Sequence, residues 1–198
     1  EFDLALRTEI KKEIDESLAL ANEEPEIEAS YNEELNDVYK PFKFELVKPN
    51  SVSENIRFID AISTSLKQSM ERHENLVIMG QDIAEYGGAF KVTEGFVTQF
   101  GKQRVRNTPI CESAIVGAAL GLSLEGIKSV VEMQFADFVS VGFNQIVNNL
   151  AKINYRWGQN ADVVIRMPTG AGVGAGPFHS QSNEAWFTHV PGLKVVYP

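Results

Sequence analysis

Several features are scarce in this sequence, and each scarcity excludes a class of protein. The 198 residues include a single cysteine, Cys111, and three histidines that lie far apart. One cysteine excludes an intramolecular disulfide framework and suits a reducing compartment, so we expect Cys111 to be a small buried side chain. No run approaches the roughly 18 apolar residues of a membrane-spanning helix, and no signal peptide is visible. We therefore expect a cytoplasmic protein with no metal site and no membrane contact.

Positive charge is also scarce. The formal net charge is −9, and its distribution is uneven. Residues 1–55 carry 15 acidic and 6 basic side chains, whereas residues 56–198 carry 12 of each. Because no basic face is available to neutralise phosphates, nucleic acid is not an expected partner. The first quarter of the chain thus differs in kind from the rest.

Residues 1–50 are predicted to form a helix followed by an acidic connector. Leu6, Ile10, Ile14 and Leu18 recur every four positions, which predicts one helix over residues 3–22 with a narrow apolar stripe. Residues 23–50 are acidic and contain three prolines and scattered aromatic anchors. We favour an extended connector that docks on folded surfaces at intervals. The alternative is a disordered acidic leader.

Residues 51–198 alternate between strand and helix patterns. Ser51-x-x-Glu54 has the form of a capping box that opens a helix ending near residue 72. Strands are predicted at 76–79, 105–107, 129–133, 163–167 and 193–197. Helical patterns follow at 94–100, 113–125, 139–157 and 182–188. This alternation predicts an α/β fold, a doubly wound parallel sheet with helices on both faces. A doubly wound domain normally continues with a helix, so we expect truncation at the C-terminal end.

Candidate functional residues follow the predicted strand ends, where open α/β sheets bind ligands. Glu112 and Phe138 lie at two such ends. Glu112 is either an acid that interacts with the helix dipole, which is the commoner case, or a carboxyl in an apolar pocket that shares a proton with a heterocyclic nitrogen. The glycine-rich loop 168–179 lacks the adjoining helix that a dinucleotide loop needs. It delivers His179, although a loop histidine is more often structural than catalytic.

Four blocks of sequence resemble one family. They are GQDIAEYGGAFKVTEGF, RVRNTPICESAIVGAALGLSLEG, VVEMQFADFVSVGFNQIVNNLAK and VVIRMPTGAGVGAGPFHSQSNEAWFTHVPGLKVVYP. In this order, over about residues 54–198, they resemble the pyrimidine-binding domain in the beta-type chain of thiamine-diphosphate-dependent 2-oxo-acid dehydrogenases. Residues 1–40 resemble the C-terminal tail of the alpha-type chain. The resemblance implies a fragment of an alpha–beta fusion.

The resemblance implies roles for five residues. Glu112 matches the acid that hydrogen-bonds N1′ of the aminopyrimidine ring and so favours the tautomer that accepts the proton from C2 of the thiazolium. Phe138 matches an aromatic residue packed against that ring, and Gln134 and Ile110 match lining positions. His179 matches the histidine that handles protons during reductive acylation of a lipoyl group. Glu112 and His179 are therefore the expected catalytic residues.

The implied activity is oxidative decarboxylation of a 2-oxo acid with acyl transfer to a lipoyl group. A branched-chain substrate, 2-oxoisovalerate, is favoured and pyruvate is next, because Cys111-Glu112 and the HSQS sequence at 179–182 are closer to the branched-chain type. Two departures bear on the substrate. Ser113 stands where relatives often carry glutamine or methionine, and Phe138 stands where branched-chain members often carry tyrosine.

The implied partners are an alpha-type domain, which would bind Mg²⁺ and the diphosphate, and the lipoyl acyltransferase of the complex. A homodimer or a heterotetramer-like assembly is expected, and the fragment alone is expected to be inactive. Two alternatives remain open at this point. One is a non-catalytic scaffold for dimerisation and docking, and the other is a thiamine-diphosphate enzyme of the transketolase type.

Overall fold

The structure, a computed structural model, describes residues 2–43, 45, 46, 48 and 53–198. It divides into two units, Glu1–Glu34 and Leu35–Pro198. Ser51 of the predicted capping box lies outside the described residues. The domain boundary expected between residues 50 and 51 stays a prediction.

Helix α1 (Phe2–Glu23) confirms the helix predicted over residues 3–22. None of its residues is buried. Ion pairs one turn apart, Arg7 with Asp3 and Lys11 with Asp15, link its exposed side chains. Pairs of this kind stabilise a helix by about 0.2–0.5 kcal/mol each.

The connector is not extended throughout, because it contains helix α2 (Tyr31–Val38). The Ser30 hydroxyl accepts a hydrogen bond from the Glu33 amide at 3.2 Å, which caps the start of this helix. Farther along, the Asn154 side chain donates to the Asp37 carbonyl oxygen at 3.0 Å. The Lys194 ammonium lies 4.0 Å from the centre of the Phe42 ring. The aromatic anchors themselves are exposed, Tyr39 at 54% and Phe42 at 70%, so docking of the connector stays a prediction.

Four parallel strands form the sheet. They are β1 (Leu76–Gly80), β2 (Val105–Asn107), β3 (Lys128–Glu132) and β4 (Val163–Arg166), in the spatial order β2-β1-β3-β4. From β1 the chain adds β2 on one side of the sheet, and from β3 it adds β4 on the other side. The carboxyl ends of β1 and β3 therefore flank the topological switch point, which is where such sheets bind ligands.

One face of the sheet is covered by α3 (Phe58–Arg72) and α4 (Phe96–Phe100). Ile78 and Val130, neighbours on β1 and β3, pack there with Met70 and Phe96. Side chains alternate along a strand, so the next residues, Met79 and Val131, face the opposite side.

The second face is covered by α5 (Glu112–Leu124) and α6 (Val139–Asn144). Ile115 and Ala119 of α5 pack with Met79 and Val131. Val116 joins Val139 in an adjoining cluster. The prediction of a parallel sheet with helices on both faces is confirmed.

Three predicted helices differ most from the structure. The helix predicted over 139–157 is divided into α6, a π-helix at Gln145–Leu150 and α7 (Ile153–Trp157). In a π-helix the hydrogen bonds span five residues, as from the Ala151 amide to the Ile146 carbonyl at 2.9 Å. The helix predicted to open at the Ser51-x-x-Glu54 capping box begins at Phe58. The last helix is shorter than predicted, α8 (Ala185–Thr188).

The strand predicted over 193–197 is wrong. Only Leu193 of its apolar residues packs against the core, and Val196 is 80% exposed. No described strand pairs with this segment. An apolar run needs a neighbouring strand to complete its backbone hydrogen bonds, and the pattern alone does not supply one.

Short 3₁₀ helices lie at Ala136–Phe138 and Ala171–Val173. None of the helices that the structure describes combines the length and the apolar character needed to cross a membrane.

Candidate functional site

Glu112 opens α5, a few residues beyond the end of β2. The loop between them is attached to the sheet because the Thr108 amide donates to the Gly80 carbonyl oxygen at 2.9 Å. The Glu112 side chain is 5% exposed. Its Oε1 accepts a hydrogen bond from Gln81 Nε2 at 2.9 Å, and Gln81 is equally buried. Among the described residues, no other side-chain bond reaches this carboxyl, so Oε2 can still accept one.

A close approach of two helices brings the Phe138 segment to Glu112. A Cβ atom added at Gly142 of α6 would lie 3.4 Å from the Glu112 carbonyl oxygen and from the Val116 side chain. These are van der Waals distances, so α6 packs directly against the first turn of α5 at this point. The segment before α6, which carries Phe138, therefore lies beside the start of α5.

Aromatic rings surround His179. The centre of its imidazole lies 5.0 Å from that of Phe135 and 5.5 Å from that of Phe138, both edge-to-face. Phe90 packs against Phe135 in turn, at 5.6 Å. Such ring pairs stabilise by about 0.5–1.5 kcal/mol beyond the area they bury. The structure thus brings together Phe138 and His179, which are 41 positions apart in the sequence.

Polar contacts hold the loop that carries His179. The Gln181 backbone amide donates to Asp137 Oδ1 at 3.2 Å, and Thr169 Oγ1 donates to the Gln181 carbonyl oxygen at 2.9 Å. Asn183 Nδ2 donates to the Ala136 carbonyl at 3.0 Å. Asp137 and Asn183 are both buried. Sequence reasoning missed these two residues, although a charged Asp137 between two phenylalanines is a signal that could have indicated it.

Gln134 and Ile110 have different environments. Gln134 follows β3, is half-buried, and donates through Nε2 to Asp82 Oδ2 at 3.3 Å. Ile110 lies in the loop before α5, and its side chain is 84% exposed. The lining roles of both residues stay predictions.

Sequence reasoning also missed Gln81 and Asp82, the two residues that follow β1. Their partners, Glu112 and Gln134, are 31 and 52 positions away. No local sequence pattern indicates a contact between residues so far apart in the chain. The only available signal is that both polar residues directly follow a buried strand.

A second buried acid lies at the same edge of the sheet. Glu132, the last residue of β3, is 2% exposed and is paired with the Arg166 guanidinium on β4. Its Oε1 and the Arg166 Nε have no hydrogen-bond partner within the described residues. Oε1 faces Gly88, where an added Cβ atom would lie 3.1 Å away. Glu132 is thus neutralised by a cation, whereas Glu112 is held by an uncharged amide.

The loop after β1 carries an exposed ion pair as well. Lys102 Nζ lies 2.7 Å from Glu85 Oε1. The hydrogen bond from Lys102 is the main reason that the pKa of the Glu85 carboxyl is lowered. Asn107 Nδ2, at the end of β2, also donates to Glu85, at 3.0 Å. These contacts fasten the loop to the neighbouring strand.

The site offers a buried carboxyl oxygen that can accept a bond, aromatic rings, and an imidazole. A planar heterocycle with a protonated ring nitrogen fits this set, because the nitrogen can donate to Glu112 and the ring can pack against Phe138. Within the described residues, no group of three histidine, cysteine, aspartate or glutamate side chains could hold a metal ion.

Comparison with known proteins places the same residues in a family. Residues 54–198 match the model of the transketolase pyrimidine-binding domain. The chain is 45% identical over 143 residues to the 2-oxoisovalerate dehydrogenase subunit beta of Bacillus subtilis (strain 168), covering 71% of this chain and 44% of that one. It is 39% identical over 155 residues to the pyruvate dehydrogenase E1 component subunit beta of Leifsonia xyli, covering 77% and 46%.

A plant relative gives a similar result. The mitochondrial 2-oxoisovalerate dehydrogenase subunit beta 2 of Arabidopsis thaliana is 43% identical over 147 residues, covering 73% of this chain and 41% of that one. The chain therefore spans less than half the length of these relatives.

Proposed function

The chain belongs to the family of transketolase pyrimidine-binding domains, and from this premise we propose that it forms part of the decarboxylating component of a 2-oxo-acid dehydrogenase complex. The proposed reaction is the thiamine-diphosphate-dependent oxidative decarboxylation of a 2-oxo acid, with transfer of the acyl group to a lipoyl group. The similarity to beta subunits of two such dehydrogenases supports the proposal.

A branched-chain 2-oxo acid is the favoured substrate, with pyruvate next. Two of the three relatives described above are 2-oxoisovalerate dehydrogenase subunits. The third is a pyruvate dehydrogenase subunit, of slightly lower identity. The single cysteine suits a reducing compartment, and a cytoplasmic location is part of the proposal.

The observation that carries the proposal is the buried Glu112 carboxyl with one free oxygen. When bound, thiamine diphosphate supplies the electron sink for decarboxylation. Glu112 Oε2 would hold a proton against N1′ of the aminopyrimidine ring, and burial away from water would strengthen that hydrogen bond. Phe138 would orient the ring by packing against its face. Gln134 and Ile110 are the proposed lining residues.

His179 is proposed to handle a proton during acyl transfer to the lipoyl group. Phe135 and Phe138 fix the plane of its imidazole by edge-to-face contacts. In the part of the chain that the structure describes, its ring nitrogens form no hydrogen bond. They are therefore available to an incoming group, as a general acid or base requires.

The remaining components are proposed to come from partners. An alpha-type domain would bind the diphosphate and Mg²⁺, and a lipoyl acyltransferase would accept the acyl group. We propose further that residues 1–40 are the tail of a fused alpha-type region, that the assembly is a homodimer or heterotetramer-like, and that the chain alone is inactive.

Replacing Glu112 tests the proposal. In the protein assembled with its diphosphate-binding domain, Glu112→Gln should lower thiamine-diphosphate-dependent decarboxylation by about 10²-fold or more, because a proton-transfer partner is lost. Glu125→Gln is the matched control, since Glu125 is exposed at the other end of the same helix. The measurement is the steady-state rate with 2-oxoisovalerate and with pyruvate.

Two outcomes would contradict the proposal. One is a loss of only a few-fold in the Glu112→Gln variant. The other is the absence of thiamine diphosphate binding by the assembled protein, which would favour the scaffold alternative. Turnover that does not depend on a lipoyl acceptor would instead favour an enzyme of the transketolase type.

A further inference from the structure

Two consecutive residues leave β1 at the topological switch point, and each holds a different residue of the proposed site. Gln81 Nε2 donates to Glu112 Oε1 at 2.9 Å. Asp82 Oδ2 accepts from Gln134 Nε2 at 3.3 Å. One dipeptide thus joins the end of β1 to the start of α5 on one side and to the segment after β3 on the other.

The backbone at this dipeptide has an unusual conformation. Asp82 has φ +56°, in the left-handed region that few residues other than glycine adopt. This turn directs consecutive side chains to two different partners. The Gly88 amide donates to the Asp82 carbonyl at 2.9 Å and so fixes the turn.

The loop beyond the turn is firmly packed. The Ile83 and Thr93 side chains are fully buried, and Thr93 Oγ1 donates to the Ile83 carbonyl at 2.7 Å. A turn held by a packed loop can keep two side chains in one rotamer each, which positioning requires.

We propose that Gln81 and Asp82 are positioning residues that set the orientation of Glu112 and Gln134 for the cofactor. This inference rests on the proposed function. Gln81 occupies one oxygen of Glu112 and leaves the other for the aminopyrimidine ring. Asp82, which is exposed, accepts the 3.3 Å hydrogen bond from the Gln134 amide beside the same switch point.

The chemistry of residue 81 suits this role. An arginine would pair with the carboxylate, as Arg166 does with Glu132. A carboxylate would repel it. An uncharged amide donor sets the orientation of Glu112 and adds no counter-charge that would compete with the ligand.

The first experiment uses the chain without cofactor. Gln81→Glu puts two carboxyls about 3 Å apart, where they repel each other once both are ionised. The free energy of unfolding, measured from urea unfolding curves, should therefore fall further below that of the wild type as the pH rises from 4 to 8. Gln81→Met, which is similar in size and uncharged, removes the donor without adding a repulsive charge, so its loss of stability should change less over the same pH range. An unchanged pH profile for Gln81→Glu would overturn the contact.

The second experiment uses the assembled protein with thiamine diphosphate and a 2-oxo acid. Gln81→Met should lower kcat by about 10-fold with little change in KM for the 2-oxo acid. The substitution displaces the catalytic carboxyl but leaves the binding of the 2-oxo acid unchanged. Wild-type kcat in Gln81→Met would overturn the positioning role.

Asp82 allows a matched set of variants. Asp82→Gly keeps the left-handed turn without the side chain, and Asp82→Asn keeps both the turn and an acceptor oxygen. We expect kcat to be lower in Asp82→Gly than in Asp82→Asn. Equal values would show that the side chain has no positioning role. Absence of cofactor-dependent turnover in the wild type would instead overturn the proposed function, while the pH profile would still report the Gln81–Glu112 contact.

Discussion

Two buried glutamates lie at the same edge of the sheet, and their partners differ. Glu132 ends β3 and pairs with the Arg166 guanidinium on the neighbouring strand. Glu112 begins α5 and is held by the uncharged amide of Gln81. Both side chains are at least 95% buried, at 2% and 5% exposure.

Burial alone therefore does not distinguish an acid that stabilises the fold from one that is available for chemistry. A carboxylate paired with arginine is neutralised, and removing either partner leaves an unpaired buried charge. Each of the two carboxyls has one oxygen without a hydrogen-bond partner among the described residues, but only Glu112 lacks a counter-charge beside it, and it can therefore still bind a protonated ligand. The comparison predicts that changes at the Glu132 pair affect stability, whereas changes at Glu112 affect activity.

The largest expected effect comes from removing the cation. Arg166→Met should lower the free energy of unfolding by about 3–5 kcal/mol, because Glu132 would remain buried without a partner. The measurement is urea unfolding followed by circular dichroism. The double variant Glu132→Met with Arg166→Met removes both charges and should recover most of that loss. A single-variant loss below about 1 kcal/mol would remove the distinction between the two glutamates.

A smaller effect tests how closely the loop packs against Glu132. Gly88 and Gly95 have nearly the same φ, +81° and +78°, but only Gly88 lies next to Glu132 Oε1. Alanine at either position should cost about 1–2 kcal/mol for the left-handed backbone. Gly88→Ala should cost roughly 1 kcal/mol more, because the new methyl group crowds the carboxylate. Equal losses in thermal unfolding would show that the loop is free to move away from Glu132.

The smallest effect comes from an exposed ion pair at the other end of the same strands. Lys128 Nζ, at the start of β3, lies 3.1 Å from Asp162 Oδ2, which comes just before β4. The hydrogen bond from Lys128 is the main reason that the pKa of Asp162 is lowered from its usual 3.8. A lowered folded-state pKa contributes stability above the unfolded value, and this contribution is lost as the pH falls through the folded value.

Asp162→Asn should therefore reduce stability at pH 7 by about 0.2–1 kcal/mol, and the difference should vanish in strong acid. Unfolding curves at pH 7 and below pH 3 measure it. A loss as large as that of Arg166→Met would mean that exposure does not separate the two ion pairs.

The sequence predicted the sheet well where local pattern decides the structure. The bounds of β2, Val105–Asn107, match the prediction, and the apolar runs of β1, β3 and β4 are correct to within one residue at each end. The residues of β1 and β3 are largely buried on both faces, so their composition is sufficient to identify these strands. Strand β4 lies at the edge of the sheet, where Val164 is 57% exposed, and only its apolar composition indicated it. The strand predicted at 193–197 has similar composition but no described neighbour to pair with.

The arrangement of the candidate site was predictable only in part. Glu112, Phe138 and His179 follow strand ends or a loop, which the sequence order reveals. Gln81 and Asp82 are polar residues in an ordinary loop until the fold places them beside Glu112 and Gln134.

The π-helix at Gln145–Leu150 was also missed, since an extra residue in a helical turn barely changes the apolar pattern.

The role proposed for Glu112 is tested most directly by a crystal structure of the assembled protein with thiamine diphosphate bound. We expect N1′ of the aminopyrimidine ring to lie within about 2.7–3.2 Å of a Glu112 carboxyl oxygen, with Gln81 still bound to the other oxygen and Phe138 against the ring. A structure in which Glu112 points into solvent, and the ring binds away from Phe138 and His179, would contradict it.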